Sequence, residues 1–231
     1  MKTSTKQAGF TLVELMIAMV IFGVVLTGVV QMFTSTGRYH TAQEMMVDLS
    51  QDLRAVKQMM VQELREAGCN PNNPQVTMGF QVVPPPPLGA KSIIHFTRDI
   101  DNGDGDGIAE PDGDANDANE NIRYYRTNDN CTGAAGAVMA AGVNNPGCLR
   151  RDTGALGGGQ PVISNVTEFR LFYFDRNGNG LTDAQLTTKG DMEEIDTVRV
   201  FIRAQVESPT KVSSVEAQTQ EMDFRVLIRN G

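Results

Sequence analysis

The pattern of apolar and polar positions changes once along the first part of this chain, near residue 37. From Phe10 to Gly37 apolar residues dominate, and Glu14 is the only charged side chain. Such a run is long enough for a bilayer core, which takes about 20 apolar residues in a helix. Beyond Gly37 the apolar residues thin to a stripe. Ala42, Met46, Leu49, Leu53, Val56, Met60, Leu64 and Ala67 recur at spacings of three and four, which is one face of a helix. Gln43, Glu44, Asp48, Gln51, Asp52, Lys57, Gln62 and Arg65 fall on the other side. Gly68 and Pro71 end the pattern. Together these predict one helix over residues 10–67, apolar all round in its first half and amphipathic in its second. The methionines of the stripe read as core packing.

After the helix the period shortens to two. Prolines exclude helix and interior strand over residues 70–90. Strands are predicted at residues 92–98, 121–127, 148–152, 162–175, 195–206 and 221–229. The fifth alternates most clearly, with Val198, Val200, Ile202, Ala204 and Val206 on one face. A helix followed by antiparallel strands with long connections is an α+β domain. The expected organisation is a leader at 1–9, a membrane half-helix at 10–37, an amphipathic half-helix at 38–68 and a β-rich globular domain at 69–231.

The N-terminal junction carries the most specific signal. Lys2 and Lys6 make a short basic leader that ends at Gly9, directly before the apolar run. A secretory signal is cut after its apolar core, near small residues, and so has the opposite order. Glu14 stands four residues into the apolar run. An acidic residue costs about 2.5–3.5 kcal/mol at a membrane-helix centre, so it marks a functional position with a partner. Lys2, Lys6 and the sequence Gly9-Phe10-Thr11-Leu12-Val13-Glu14-Leu15 resemble the type IV prepilin family. The resemblance implies cleavage between Gly9 and Phe10 by a membrane prepilin peptidase and N-methylation of Phe10. It also implies that Glu14 pairs with the N-terminal amine of a neighbouring subunit. The partners it implies are other pilins or minor pilins, met through this helix, and an inner-membrane assembly platform. The location it implies is the bacterial inner membrane with the globular domain periplasmic, and the pilus surface after assembly.

Charge narrows the other partners. The chain has 20 Lys and Arg against 28 Asp and Glu, a formal charge of −8. Loss of the leader removes Lys2 and Lys6 and takes −8 to −10. An acidic chain with no dense basic run is a poor candidate for nucleic acid. The three cysteines are Cys69, Cys131 and Cys148. In an oxidising space a Cys131–Cys148 disulfide would close a Gly/Ala-rich loop, contributing roughly 3 kcal/mol in the chain-entropy model. A pair that uses Cys69 is equally allowed by the sequence.

The surplus acid concentrates between Asp99 and Glu120. There, Asn102, Asp104, Asp106 and Glu110 occupy positions 1, 3, 5 and 9 of an EF-hand-like loop, with Gly107 at 6. Position 12 is Gly113, and Asp112 or Asp99 is the substitute ligand. Asp175, Asn177, Asn179 and Asp183 repeat the spacing, with Gly180 at 6 and Leu186 where a bidentate Glu is expected. Both segments resemble extracellular calcium loops, and Asn/Asp/Gly turns without metal have the same composition. The expected cofactor is Ca2+.

The remaining chain bears a looser likeness. Arg65-Glu66-Ala67-Gly68, Cys148-Leu149-Arg150-Arg151 and the strands at 166–175 and 195–206 look like PilW-type minor pilins, as does a final strand that ends in Arg229-Asn230. They are also similar to J-type minor pseudopilins of type II secretion. The resulting expectation is a structural minor pilin of a pilus tip or initiation complex. The alternatives are a minor pseudopilin and, from another class, a membrane-anchored calcium-dependent adhesin. The chain has no G-x-S-x-G, H-E-x-x-H or Walker loop, so no enzyme is expected.

Overall fold

The structure is a computed structural model that describes residues 9–70, 79–81, 89–100, 111–115, 117, 119–154, 158–187, 192–206 and 218–228. The chain forms two compact units, residues 1–45 and 46–231.

The first unit holds the start of α1, which runs from Leu12 to Arg65. Every residue from 9 to 41 is exposed, including Phe10 at 91% and Phe33 at 75%. Exposed apolar side chains over this length need a covering that the subunit does not supply, and α1 is long and apolar enough to cross a membrane. Three of its threonine hydroxyls are satisfied within the helix. The Thr27 and Thr36 hydroxyls donate to the carbonyls of Gly23 and Met32, four residues back, and Thr34 donates to Gln31. That arrangement keeps these three hydroxyls from facing lipid unpaired.

The second unit contains the end of α1 and one antiparallel sheet. The strands are β1 (Gly79–Phe80), β2 (Ile93–Thr97), β3 (Asn121–Thr127), β4 (Gly147–Asp152), β5 (Gln160–Phe174), β6 (Gly180–Leu181), β7 (Thr197–Gln205) and β8 (Thr219–Leu227). Their order is β1-β2-β3-β4-β5-β7-β8, with β6 paired to β5. A short helix, α2 (Gly89–Ser92), precedes β2, and one 3-10 turn covers Asp183–Gln185. The fold is therefore α+β, as its periodicities predict, and each of the six expected strands lies within two residues of its predicted bounds. The two-residue strands β1 and β6 are too short to impose a period.

The stripe on α1 does what its spacing requires. Leu49, Leu53, Val56, Met60 and Leu64 are buried against Ile94, Phe96, Ile122, Tyr124, Leu149, Phe169, Leu171, Val198, Val200 and Ile202. β7 alternates half-buried and buried residues over its whole length. β5 serves two neighbours in turn. Its first part pairs with β4 and its second with β7, and the change comes at Val166, where the β7 register slips by one residue. Asn165 takes a left-handed φ of 56° just before it, a conformation Asn tolerates better than most residues.

Candidate functional site

At the start of α1 the residues Thr11 and Glu14 form a reciprocal cap. The Glu14 N–H donates to Thr11 Oγ1 at 3.3 Å, and the Thr11 N–H donates back to Glu14 Oε2 at 2.9 Å. The Thr11 hydroxyl also donates to Oε2, at 3.0 Å. This is the capping box T-x-x-E, which satisfies two N–H groups that the helix leaves orphaned. Reading Glu14 only as a buried charge misses this local role, although Thr11-Leu12-Val13-Glu14 spells it. Both bonds fall on one carboxylate oxygen. Among the described residues Oε1 accepts none, so the group keeps a free oxygen while it caps its own helix. Gly9 and Phe10 precede the cap and are exposed.

The acidic segments are built differently from each other. Asn102, Asp104, Asp106 and Glu110 lie outside the described residues. The described ends of that segment are clamped by buried carboxylates. Asp99 accepts the N–H groups of Asp112 and Gly113 at 3.1 and 2.9 Å, and Glu120 accepts that of Ile100 at 2.8 Å. Asp99 is fully buried and both its oxygens face backbone, so it acts as a loop clamp. Asp112, Asp114 and Asp117 bring one carboxylate oxygen each to within 4.8 Å of one another.

Residues 175–179 form the turn between β5 and β6. Asp175 Oδ1 accepts the N–H groups of Asn177 and Asn179 at 2.9 and 2.7 Å, and Oδ2 accepts the Asn179 side-chain amide at 2.9 Å. The side-chain amide of Asn179 leads in holding the Asp175 carboxyl below its ordinary pKa, followed by that residue's N–H. The turn glycine is Gly178, with φ of 82°, while Gly180 lies in β6. Asp183 sits in the 3-10 turn, 3.4 Å from Lys91 Nζ. Asp175, Arg176 and Asn177 instead border an open cavity of about 310 Å³ together with Glu193, Glu194, Ile195 and Asp196.

Cys131 and Cys148 form a disulfide with Cα atoms 5.1 Å apart, and Cys69 is a free, half-buried thiol. Two buried arginines hold the same loop. Arg126 donates to the carbonyls of Asn145 and Val166 at 2.9 and 3.1 Å and also to those of Thr167 and Val143. Burial, partly offset by Glu168, lowers its pKa. Arg150 Nη2 donates to Asp129 Oδ1 at 2.7 Å. Partial burial opposes ionisation of Asp129. Arg150, Thr127 and the N–H groups of Gly136 and Cys131 outweigh it and hold the carboxyl well below the usual range.

A further cluster is buried between the end of α1 and the sheet. Glu63 accepts from Arg151 Nη2 and Nε at 2.7 and 3.0 Å and from the Tyr124 hydroxyl. Arg98 Nη2 lies 3.8 Å from Glu63, and Nη1 pairs with Glu66. Asn119 finishes the group, accepting from Arg98 through its carbonyl and from Arg151 through its side chain. The signal for this cluster was in the stripe. Glu63 falls three residues after Met60 and seven after Val56, a charge on the apolar face.

The family model for the prokaryotic N-terminal methylation motif matches residues 4–30. No curated protein and no solved structure matches the chain. The match covers residues 4–9 ahead of the Gly9–Phe10 junction, the junction itself, the Thr11–Glu14 cap and most of the exposed apolar helix. It gives the N-terminus a type IV pilin-like signal, and the apolar helix is consistent with an inner-membrane anchor.

Proposed function

We propose that this pilin-like chain is a structural minor pilin, cut by prepilin peptidase and assembled with other pilins at a pilus tip or initiation complex. The observation that carries the reading is the Glu14 carboxylate. It caps a 54-residue helix whose first half is exposed, using one oxygen, and among the described residues the other oxygen stays unengaged at the start of the apolar surface. That oxygen suits the N-terminal amine of a neighbour, since a charge at this depth is tolerated when it is paired. A minor pseudopilin of type II secretion has the same N-terminal chemistry, so the test scores piliation and secretion in one strain.

The test separates the two roles of Glu14. Glu14→Gln keeps the capping box, which accepts Gln at this position, and removes the charge. Glu14→Leu removes both. Both variants insert in the membrane, because each lowers the polarity of an apolar run. Both enter sheared filaments at least about tenfold less than wild type, equivalent to losing about 1.4 kcal/mol at each incorporation. Normal incorporation of the Gln variant would leave Glu14 as a helix cap only.

We further propose that the acidic segments bind Ca2+ with low affinity, in the range of extracellular modules, about 10⁻⁴–10⁻³ M. Two observations support this: the convergence of Asp112, Asp114 and Asp117, and the cavity in which Asp175, Glu193, Glu194 and Asp196 outnumber Arg176. A hundredfold excess over Kd stabilises the folded form by about 2.7 kcal/mol. For a chain of this size that raises Tm by roughly 5–10 °C. The full chain in detergent therefore melts higher in calcium than in chelator, and magnesium substitutes poorly because it demands octahedral geometry. Asp104→Ala with Asp106→Ala removes most of the shift, and Asp175→Ala a smaller part. An unchanged Tm across chelator, magnesium and calcium overturns the reading.

A further inference from the structure

The stem of the acidic segment that follows β2 is built against the end of α1. Two backbone bonds make the first contact. The Gly68 N–H donates to the Thr97 carbonyl at 2.9 Å, and the Asp99 N–H donates to the Cys69 carbonyl at 2.8 Å. Gly68 turns the chain there with a left-handed φ of 82°, a common way for a helix to end on glycine. Asp99 is therefore tied to the exit of α1 by its N–H, while its carboxylate holds the N–H groups of Asp112 and Gly113. The two arms of the stem are also joined directly. The Arg98 N–H donates to the Glu120 carbonyl at 2.9 Å, and the Glu120 carboxylate accepts from the Ile100 N–H at 2.8 Å.

Side chains repeat the connection. Arg98, only 7% exposed, donates through Nε to the Asn119 carbonyl at 2.9 Å and pairs through Nη1 with Glu66. Arg151 Nη2 donates to Glu63 at 2.7 Å and to the Asn119 side chain at 3.0 Å. Each arginine thus bridges the end of α1 and the returning arm of the stem. Asn119 is held between them in a left-handed φ of 69°, a conformation uncommon outside glycine. Holding α1 to the sheet does not require this, because Met60 and Leu64 are already fully buried on its apolar stripe. What the bridges add is a connection from α1 to the stem.

We propose that Arg98 and Arg151 latch the stem of the acidic segment to the end of α1, so that the two gain and lose order as one local unit. Disorder in the stem takes the Asn119 acceptors away from both arginines and loosens their hold on Glu66 and Glu63. Disorder at the end of α1 takes the Cys69 carbonyl from Asp99 and the carboxylates from both arginines. Proteins open locally in contiguous units of this kind. The coupling is reciprocal, so anything that orders the stem tightens the end of α1 by the same free energy. Nothing in the latch needs a bound cation or a cut leader, so it stands independently of both readings proposed above.

The test is amide hydrogen exchange of the full chain in detergent, read peptide by peptide. Glu66→Ala removes one carboxylate that is 38% exposed and leaves the apolar stripe intact, so the fold survives. It speeds exchange of the Ile100, Asp112 and Gly113 amides by about tenfold, the effect of one charge-assisted bond. None of these amides bonds to Glu66; their acceptors are Glu120 and Asp99. The reverse arm is Asn119→Gly, which suits the left-handed backbone and removes the side chain that Arg151 reaches. It speeds the Gly68 and Cys69 amides by about threefold, the effect of one neutral acceptor. Asp223→Ala, which breaks the Arg199 pair between β7 and β8, leaves both sets unchanged. Unchanged stem amides in Glu66→Ala, or unchanged Gly68 and Cys69 amides in Asn119→Gly, would show two separate structures and overturn the proposal. Equal acceleration in the β7 amides would show a loss of global stability and overturn it as well.

Discussion

Gly9→Val leaves the chain uncleaved and out of filaments. The substitution does nothing to the fold, since a Cβ placed at Gly9 meets no atom within 4 Å. Its effect falls on the enzyme that must bring the Gly9–Phe10 bond into its site. A branched side chain next to the scissile carbonyl shifts that carbonyl, and a misplacement of about 1 Å costs roughly 10²-fold in rate. The uncut leader then keeps Lys2 and Lys6 attached ahead of Phe10. No free amine forms at Phe10, so neither methylation nor pairing with Glu14 follows. Intact mass and N-terminal peptide mapping check this. Wild type begins at methylated Phe10, whereas the variant begins at the leader. Wild-type protein recovered from assembled filaments with its leader intact would remove the processing step, and with it the assembly reading.

The junction was legible because its residues carry meaning by order alone. A basic leader, a glycine, a bulky apolar start and an acid four residues later cannot be rearranged without losing the pattern. The same was true of the sheet's long strands. A two-residue period over nine residues of β7 places Val198, Val200, Ile202 and Ala204 on one face, and all four are buried. The α1 stripe was legible for the same reason: spacings of three and four from Leu49 to Leu64 admit one buried face.

What stayed hidden depends on partners distant in sequence. The Glu63 cluster draws on α1, β3 and β4 and on Arg98, at separations of 61 residues to Tyr124 and 88 to Arg151. No local period reports such a meeting. The arginine and phenylalanine neighbours across β5 and β7 were hidden differently. On β7 the outward residues Arg199, Phe201 and Arg203 read as an ordinary solvated face until β5 supplies Phe172 and Arg170 beside them. The turn after β5 shows the limit of spacing as evidence. Asp175 and Asn179 have ligand positions in one dimension, yet here they bond to each other across a tight turn. Asn and Asp reach such contacts because their short side chains fold back on nearby backbone.

Glu63→Ala destabilises the domain by about 3–5 kcal/mol, the cost of breaking a buried ion pair by removing one partner. The reason is the environment left behind. Arg151 loses its closest carboxylate contacts, the buried Tyr124 hydroxyl loses its acceptor, and among the described residues Arg98 keeps Glu66 and the Asn119 carbonyl. Burial first, and then the Glu63 charge, push the Tyr124 hydroxyl far above its ordinary pKa, so it stays a neutral donor that needs that acceptor. Glu63→Gln costs less, since an amide oxygen still accepts from Tyr124 or Arg151, although without charge it holds neither as strongly. Thermal melts of the full chain in detergent show the order wild type, Gln, Ala, with the Ala variant lower by roughly 6–20 °C. A second pair of variants isolates the electrostatic origin. Replacing Glu63 and Arg151 together by methionine removes the charges and fills the space. That double variant is more stable than Glu63→Ala, because no uncompensated cation remains on Arg151. If Glu63→Ala melted within about 1 kcal/mol of wild type, the cluster would be a solvated surface network and α1 would be held to the sheet by its apolar stripe alone.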